Sequence, residues 1–577
     1  ALKEQGNEAF RAGRFALAVQ RYSEGLLQLR DKQELYTNRA QAYLKLHEYE
    51  KAISDCEWAL KCNKNCLKAY FLLGRAHLAL QHFPEARQCY EKMLQIDPQK
   101  ENLVKECVSQ ARLEEKRVRD EERAERELQA GNVTALSIQE LLQRVSSPGQ
   151  DILYYTGAIR LLAELLNDCT GQTFFRTNNG FSILRNEAVR GAFCAGSKSP
   201  AEVELCVSLL LLWRAACAGN EENQRLLLAQ PEVGAQLAEL LSSGSPQIQR
   251  DTLALISLCS ENQSGRRLLL RQDLSRWLQL LLAFVKSTDA RADAAMNILS
   301  DLAGEERFQA QCRALLSTEV LPLFTQLLEC ARQVNQAALA RGVAVLGSLC
   351  ADVVLRAQLA QSRACWQACL QLLVREAFGQ ENGLFLQGFC VFAVLGLMMN
   401  MLLESNSTIQ DFAVPISGRC LALLNHQDGK IVTRATGVLS RALPASPSAV
   451  EEVVQAGVVK KMLKFLKAGG HLTSSYAIKT LSICTKSSRR AQEELLRWDK
   501  RFQVLLKLLE AEDELTVGNA AFCLSQCLQL PGAASSLLGS SVVLLLLRRA
   551  AGDSPRASVQ HNSAIALGRL CLAEPRY

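Results

Sequence analysis

Small and aromatic residues recur at a fixed spacing through the first part of the chain. At a period of 34 residues, four sets line up: Gly6, Ala40 and Gly74; Phe15, Tyr49 and Phe83; Ala18, Ala52 and Ala86; Tyr22, Cys56 and Tyr90. A small residue allows one helix to approach the next closely, while an aromatic side chain fills the space beside it. The pattern predicts three helical hairpins, each of which buries its apolar face only by stacking on its neighbour.

A looser pattern of apolar residues continues through the rest of the chain. Helical stretches built around a central leucine recur from ALISLC to AIALGRLC, at separations of 42 to 49 residues. The central leucines are Leu255, Leu299, Leu346, Leu395, Leu439, Leu481, Leu524 and Leu567, and Leu212 and Leu165 extend the series toward the N-terminus. This spacing resembles that of armadillo or HEAT units, in which the third helix of each repeat lines the concave face.

The 34-residue register resembles the tetratricopeptide repeat (TPR) family over residues 1–98. The predicted fold class is all-α: an α-solenoid of three TPR repeats, followed over residues 131–577 by an armadillo/HEAT-like superhelix. Residues 99–130 are predicted to form a capping and charged connector helix. Its first part is amphipathic, and Glu114 to Glu127 is charged nearly all round, which favours an exposed, semi-rigid spacer ended by Gly131. Glu115 with Arg119 and Glu122 with Arg126 are expected to pair along it.

A subset of the TPR family binds the C-terminal Glu-Glu-Val-Asp tail of cytosolic heat-shock chaperones, of the 90-kDa or 70-kDa class, through a carboxylate clamp. The matching text here is KEQGN, TNR and LKAY, which places the clamp at Lys3, Asn7, Asn38 and Lys68. Ammonium and amide donors suit the paired carboxylates of a C-terminal Asp. The family usually adds an arginine where this chain has Leu72, and Arg75 is a candidate substitute. The alternative interpretation is that the two lysines are solvated surface residues and the asparagines belong only to the helices.

Polar side chains are expected along the groove of the second module, five positions before the central leucines. The candidates are Arg250, Arg341, Arg434, Tyr476, Asn519 and Asn562. Arginines and amides along such a surface suit an extended acidic or mixed segment of a partner. A solvated helix face is the alternative, as it is for the basic strip of Lys460, Lys461, Lys464 and Lys467.

Composition adds limits to this interpretation. A net charge of +7 over 577 residues does not call for nucleic acid. The 21 cysteines are scattered along a long chain, which favours reduced thiols in the cytoplasm. The spacing of Cys62, Cys66, His77 and His82 is close to that of a zinc finger, but the TPR register already accounts for all four residues. No catalytic residue, metal site or cofactor is predicted.

The stretch from Leu384 to Leu403 is long and apolar enough to require a membrane check. Because the repeat pattern places Leu395 on a third helix, we expect a buried helix and no membrane partner. The chain begins at Ala1 within a helical pattern, so we expect that an N-terminal segment precedes it.

TPR repeats followed directly by armadillo repeats form an uncommon order. With LKEQGN, YTNRAQAYLKL and CLKAYFLLGRA, the whole chain resembles a family implicated in cytoplasmic preassembly of axonemal dynein arms. The resemblance implies an adaptor or co-chaperone whose TPR groove recruits a chaperone tail, while the solenoid holds axonemal dynein subunits or other assembly factors. The alternatives are a myosin-directed co-chaperone with a similar order of modules, and a structural ciliary scaffold without chaperone binding.

Overall fold

The computed structural model describes residues 2–194, 196–329, 335–376, 384–552 and 556–577, and these residues form thirty-five α-helices and no strand. The predicted all-α solenoid is thus confirmed. Contacts within the chain define two compact units, residues 1–191 with 211–226 and residues 192–210 with 227–577. The predicted domain boundaries at 98 and 130 stay predictions.

The first unit begins with three helical hairpins and a long seventh helix. These helices are α1 (Leu2–Arg11), α2 (Phe15–Gln28), α3 (Gln33–Lys45), α4 (Tyr49–Cys62), α5 (Leu67–Ala79), α6 (Phe83–Ile96) and α7 (Glu101–Gln129). Gly6 lies against the ring of Tyr22, where an added Cβ would come within 2.4 Å of the ring, and Gly74 lies against Tyr90 at 2.5 Å. Ala40 and Cys56 are both fully buried in the second hairpin. The small and aromatic positions of the 34-residue register therefore set the distance between paired helices.

Helix α7 packs along its whole length, which corrects part of the sequence prediction. Its first half buries Val104, Cys107 and Ala111 against α6, as expected for a cap. Its second half is not an exposed spacer, because Ala124 is buried and Arg176 pairs with Glu121 at 3.0 Å.

The expected ion pairs along α7 also differ from the observed ones. Glu115 pairs with Arg87 of α6, and Arg126 donates to the backbone carbonyl of Glu122. The charge pattern predicts solvated side chains along this half, but Glu115 and Glu121 pair with arginines of neighbouring helices.

Six shorter helices follow α7. They are α8 (Val133–Ser146), α9 (Ile152–Glu164), α10 (Cys169–Thr177), α11 (Glu187–Phe193), α12 (Pro200–Cys217) and α13 (Glu221–Ala229). Helix α10 packs against α7 and α8. Gln172 of α10 donates 2.9 Å hydrogen bonds to the carbonyls of Ala215 and Ala218, so buried amides join α10 to the end of α12.

The second unit continues as stacked helices of unequal length. They are α14 (Pro231–Leu241), α15 (Pro246–Ser260), α16 (Gln263–Leu269), α17 (Leu274–Ala283), α18 (Ala290–Ala303), α19 (Glu306–Leu315), α20 (Leu321–Glu329), α21 (Gln336–Leu349), α22 (Val353–Gln361), α23 (Arg363–Glu376), α24 (Leu384–Met401), α25 (Ser407–Leu423), α26 (Gly429–Ala442), α27 (Pro447–Gln455), α28 (Val458–Ala468), α29 (His471–Ser487), α30 (Arg489–Trp498), α31 (Gln503–Leu509), α32 (Glu514–Cys527), α33 (Ala533–Ser536), α34 (Val542–Ala550) and α35 (Ala557–Ala573). Short 3₁₀ or π turns lie at Pro98–Lys100, Gly180–Arg185, Phe284–Lys286, Leu316–Val320, Leu443–Ala445 and Lys500–Phe502.

The central leucines mark one continuous row of helices in this unit. Helices α15, α18, α21, α24, α26, α29, α32 and α35 each pack on the next, and we call them the third helices. Seven of the eight central leucines, from Leu255 to Leu524, are fully buried, and Leu567 of the last helix is partly exposed. The repeat register read from the leucines thus corresponds to a physical stack.

The apolar stretch that begins at Leu384 forms α24, which packs between α21 and α26. Across the described ranges no single helix has both the length and the apolarity to cross a bilayer. One pair, Gln336–Leu349 with Val353–Gln361, meets those criteria together but is bent by 118°.

Candidate functional site

The first helices of the three hairpins bring the predicted clamp residues together. Lys3 and Asn7 lie on α1, Asn38 on α3 and Lys68 on α5. Lys68 Nζ donates to Asn38 Oδ1 at 2.7 Å, and Asn38 Nδ2 donates to Asn7 Oδ1 at 3.1 Å. One residue from each of three repeats therefore belongs to a hydrogen-bonded row. We call these three residues and Lys3 the clamp row.

A buried tyrosine fixes the orientation of the clamp row. Tyr22, 2% exposed, donates its hydroxyl to Asn7 Oδ1 at 2.9 Å. Because Asn7 Oδ1 accepts two hydrogen bonds, the Asn7 amide group is held in one orientation. In this orientation its nitrogen donates to a carboxylate oxygen of Glu4 at 3.3 Å. Tyr22 thus has two roles, since it fills the gap beside Gly6 and orients a clamp amide, and the repeat register alone indicates only the first.

The electrostatics of the row favour an added carboxylate. Lys68 is exposed as a residue, but the surrounding helices remove water from its ammonium group and lower its pKa, and the positive charge of Lys3 lowers it further. Two positive charges close enough to repel each other gain from a negative charge placed between them.

Glu34 of α3 supplies one such negative charge from within the chain. Lys3 donates a hydrogen bond to the Glu34 carboxylate, and this contact lowers the pKa of Glu34. Sequence analysis missed Glu34, although a signal for it exists. It lies four residues before Asn38 on α3, and residues at that spacing share a helix face.

A buried ion pair holds the part of α3 that carries Asn38. Arg39 donates from Nε and Nη2 to the two carboxylate oxygens of Asp55, at 2.8 and 2.7 Å, and from Nη1 to the Ser23 hydroxyl at 2.9 Å. Asp55 is 3% exposed. One guanidinium therefore ties α3 to both α2 and α4 directly beside the clamp row.

The position of the usual clamp arginine holds Leu72, and Arg75 is the predicted substitute. Leu72 is buried among Ala40, Cys56 and Ala76, and adds no donor. Arg75 is exposed, lies 6.0 Å from the ring of Phe71, and lines a cleft of about 600 Å³ that adjoins α7. The use of Arg75 as a substitute stays a prediction.

The six candidate groove residues of the second module have different surroundings. Arg250 is exposed. Arg341 donates to Asn297 and Asp293, both at 2.8 Å, and Asn519 accepts from Ser482 at 3.1 Å. Asn562 donates to the carbonyl of Gly518 at 3.1 Å. Several of these side chains therefore join one third helix to its neighbour, a use that the predicted ligand-facing role did not include.

Two residues of this set, Arg434 and Tyr476, line the same cavity. It measures about 890 Å³ and lies over α21, α24, α26 and α29. The Arg434 guanidinium stacks 3.4 Å from the centre of the Phe392 ring and donates to the Phe392 carbonyl. We call this space the third-helix cavity.

The remaining candidates show local contacts. His77 and His82 approach each other at 3.4 Å between ring nitrogens, and no group of three or more His, Cys, Asp or Glu in the described ranges is arranged to hold a metal ion. In the basic strip, Lys460 lies 4.3 Å from the Trp498 ring centre and Lys461 donates to the Leu421 carbonyl at 3.4 Å.

Comparison with known proteins agrees with this architecture. Residues 34–66 and 67–100 each match a family model of the tetratricopeptide repeat. The crystal structure of an engineered protein aligns with a TM-score of 0.54 and 17% identity, over 75% of this chain and 98% of its own, which supports the fold alone. The protein is a helical-repeat protein with tetratricopeptide repeats, a class that provides scaffolds for protein interactions.

The family follows from full-length relatives. Tetratricopeptide repeat protein 12 from Homo sapiens is 46% identical and that from Mus musculus 44% identical, each over 100% of this chain and 82% of the relative. The chain therefore belongs to the tetratricopeptide repeat protein 12 family. Over 18% of the chain, the Hsp70-Hsp90 organizing protein of Triticum aestivum is 38% identical, matched over 17% of its own length.

Proposed function

We propose that the clamp row binds the C-terminal carboxylates of a cytosolic chaperone tail of the Hsp90 or Hsp70 class. The observation that carries this proposal is the hydrogen-bonded row from Lys68 through Asn38 to Asn7, with Lys3 beside it. A C-terminal Asp offers two carboxylates in close proximity, and ammonium and amide donors satisfy their oxygens with charge-assisted hydrogen bonds. The resemblance to the Hsp70-Hsp90 organizing protein supports the same class of ligand.

The second unit is proposed to hold the clients. Family membership supports a role as a cytoplasmic adaptor or co-chaperone in preassembly of axonemal dynein arms, with dynein subunits or other assembly factors on the third helices. Cell fractionation separates this role from that of a ciliary scaffold, because an assembly factor is recovered with soluble cytoplasm and a scaffold with axonemes.

Calorimetric titration of the whole chain with the peptide Met-Glu-Glu-Val-Asp tests the clamp. Losing one charge-assisted contact costs about 1.5 to 3 kcal/mol, so Lys68→Ala is expected to weaken binding by about 10- to 150-fold. Asn38→Ala is expected to weaken it as well, because Lys68 and Asn7 then lose their shared partner.

Two controls isolate the contact from general charge. Lys64→Ala removes the same charge from an exposed lysine in the loop before α5, and is expected to bind as the unchanged chain does. A peptide with an amidated C-terminus lacks one carboxylate and is expected to bind weakly. Equal effects of Lys64→Ala and Lys68→Ala, or no binding at millimolar peptide, would refute the proposal.

A further inference from the structure

The third-helix cavity has walls made largely of small and apolar residues. Gly347, Ala393, Gly396 and Leu397 are among the residues that line it. The volume of about 890 Å³ is large enough for one or more side chains of another polypeptide.

Positive charge collects around this cavity. Lys430, Arg434 and Arg441 line it beside the imidazole ring of His471, and none of the described residues that line it is acidic. Arg434 and Arg441 donate to the carbonyls of Phe392 and Met399, so each is held in place by a neutral acceptor. Among the described residues, none of Lys430, Arg434 and Arg441 forms an ion pair.

Two cations on the helices around the cavity have lowered pKa values. Burial lowers the pKa of Arg434, and burial together with the charge of Arg441 lowers the pKa of Lys479 on α29. Asp428, two residues before Lys430, caps the N-terminus of α26, and Asp513 caps α32. Both carboxylates already accept backbone hydrogen bonds.

We propose that the third-helix cavity binds an internal acidic segment of a partner protein, with one large apolar side chain inserted and carboxylates on both sides of it. This inference rests on the proposed function of the second unit as the client-binding part. The apolar walls provide the burial that stabilises the inserted side chain, and the lysine and arginines at the rim pair with the flanking carboxylates. Because the charges lie around the cavity, they set specificity and the rate of association.

Short labelled peptides with both ends blocked provide the probes. The test peptide is acetyl-Gly-Glu-Glu-Φ-Glu-Glu-Gly-amide, where Φ is Trp, Phe or Leu in three separate peptides. One comparison peptide has Ala at Φ, and another has Lys in place of each Glu. Fluorescence anisotropy with the whole chain is expected to show binding for at least one acidic apolar peptide, at least about tenfold tighter than for either comparison peptide.

Two variants test whether the peptides bind in this cavity. A Cβ at Gly347 would meet nothing closer than the side-chain amide nitrogen of Asn400 at 3.9 Å, so Gly347→Leu introduces a large side chain into the cavity wall at a position where the Cβ itself has room. It is expected to weaken binding at least about tenfold, with circular dichroism confirming the helical fold. Lys430→Glu reverses an exposed charge at the rim and is expected to weaken binding by about fivefold. Its matched control, Lys464→Glu, reverses the charge of an exposed lysine on α28 that does not line the cavity, and is expected to change little.

Failure of this inference is distinguishable from failure of the chaperone proposal. The amidated probes offer no C-terminal carboxylate. They are therefore expected to bind the Lys68→Ala variant and the unchanged chain with equal affinity. Conversely, Gly347→Leu is expected to leave binding of the Met-Glu-Glu-Val-Asp peptide unchanged. No binding at millimolar probe, preference for the Lys peptide, or equal binding to Gly347→Leu and the unchanged chain would overturn the inference.

Discussion

Removal of the ion pair between Arg39 and Asp55 is expected to destabilise the helices that carry the clamp row. Asp55→Ala removes the only carboxylate that pairs with Arg39 in the described ranges, and leaves the guanidinium hydrogen-bonded to the Ser23 hydroxyl. The Arg39 side chain is 19% exposed, so water reaches only part of the unpaired charge. The variant therefore leaves a largely buried cation without its counter-ion.

The magnitude follows from the geometry. Breaking a buried, doubly hydrogen-bonded pair by removing one partner costs about 3 to 5 kcal/mol. The partial exposure of Arg39 and its contacts with the rings of Tyr36 and Tyr43, each 5.9 Å away, favour the lower end of that range. A loss of about 3 kcal/mol in opening free energy corresponds to an increase of about 150-fold in amide exchange.

Hydrogen–deuterium exchange mass spectrometry of the whole chain provides the assay, because a chain of two units does not unfold in one step. Faster exchange is expected in peptides from α2, α3 and α4, and not in peptides from α26 or α29. Asp31→Ala removes an exposed carboxylate from the loop before α3, and serves as the charge-matched control.

A double variant distinguishes the destabilising effect of an unpaired charge from that of lost packing. Arg39→Met with Asp55→Leu is expected to restore most of the protection, since apolar residues of similar volume replace a buried pair at little cost. An increase in exchange below about tenfold for Asp55→Ala, or a double variant as labile as the single one, would refute the reasoning.

Two further predictions concern the clamp row. Glu34→Gln removes the carboxylate that competes with the peptide for Lys3. It is expected to tighten binding of the Met-Glu-Glu-Val-Asp peptide by about two- to fivefold, the range of an exposed ion pair. Calorimetry measures this change with Glu50→Gln as the control, and weaker or unchanged binding would contradict the prediction. Binding of the same peptide is expected to weaken as pH rises from neutral toward 10.5, because Lys68 has a lowered pKa in the free chain and a bound carboxylate raises that pKa again. Lys68→Arg keeps its charge over this range, so its titration at increasing pH is expected to show a smaller loss, and an equal loss in both proteins would exclude Lys68 as the titrating contact.

The periodic residues allowed much of the fold to be predicted. Gly6 and Tyr22 meet as the 34-residue register requires, and Leu255 to Leu524 are buried along one row of helices. Burial in a repeat stack is set by the position of a residue on its helix, and this position can be read from spacing. Asn38 and Lys68, in contrast, were predicted from the resemblance of TNR and LKAY to the clamp motif of the TPR family, and not from this spacing.

The local partners could not be read in this way. Lys3 pairs with Glu34, and the Arg434 guanidinium stacks on the Phe392 ring. Long side chains reach several possible partners from one helix position, so the sequence does not show which partner is used. The second half of α7 was predicted as a spacer because its composition is charged, but Glu121 pairs with Arg176, which lies 55 residues further along the chain. Pairing at that separation depends on how helices are stacked, and a local charge pattern does not contain this information.

The side chains that join successive third helices have a mechanical consequence. Asn400, Arg434, Arg441, Asn562 and Arg569 each donate to a backbone carbonyl of the preceding third helix. Each acceptor lies within a helix, so breaking such a contact leaves the helix itself whole. A force applied along the stack is therefore expected to separate these polar contacts and the apolar packing between third helices before any helix unravels, so that the second unit would lengthen without losing its helices.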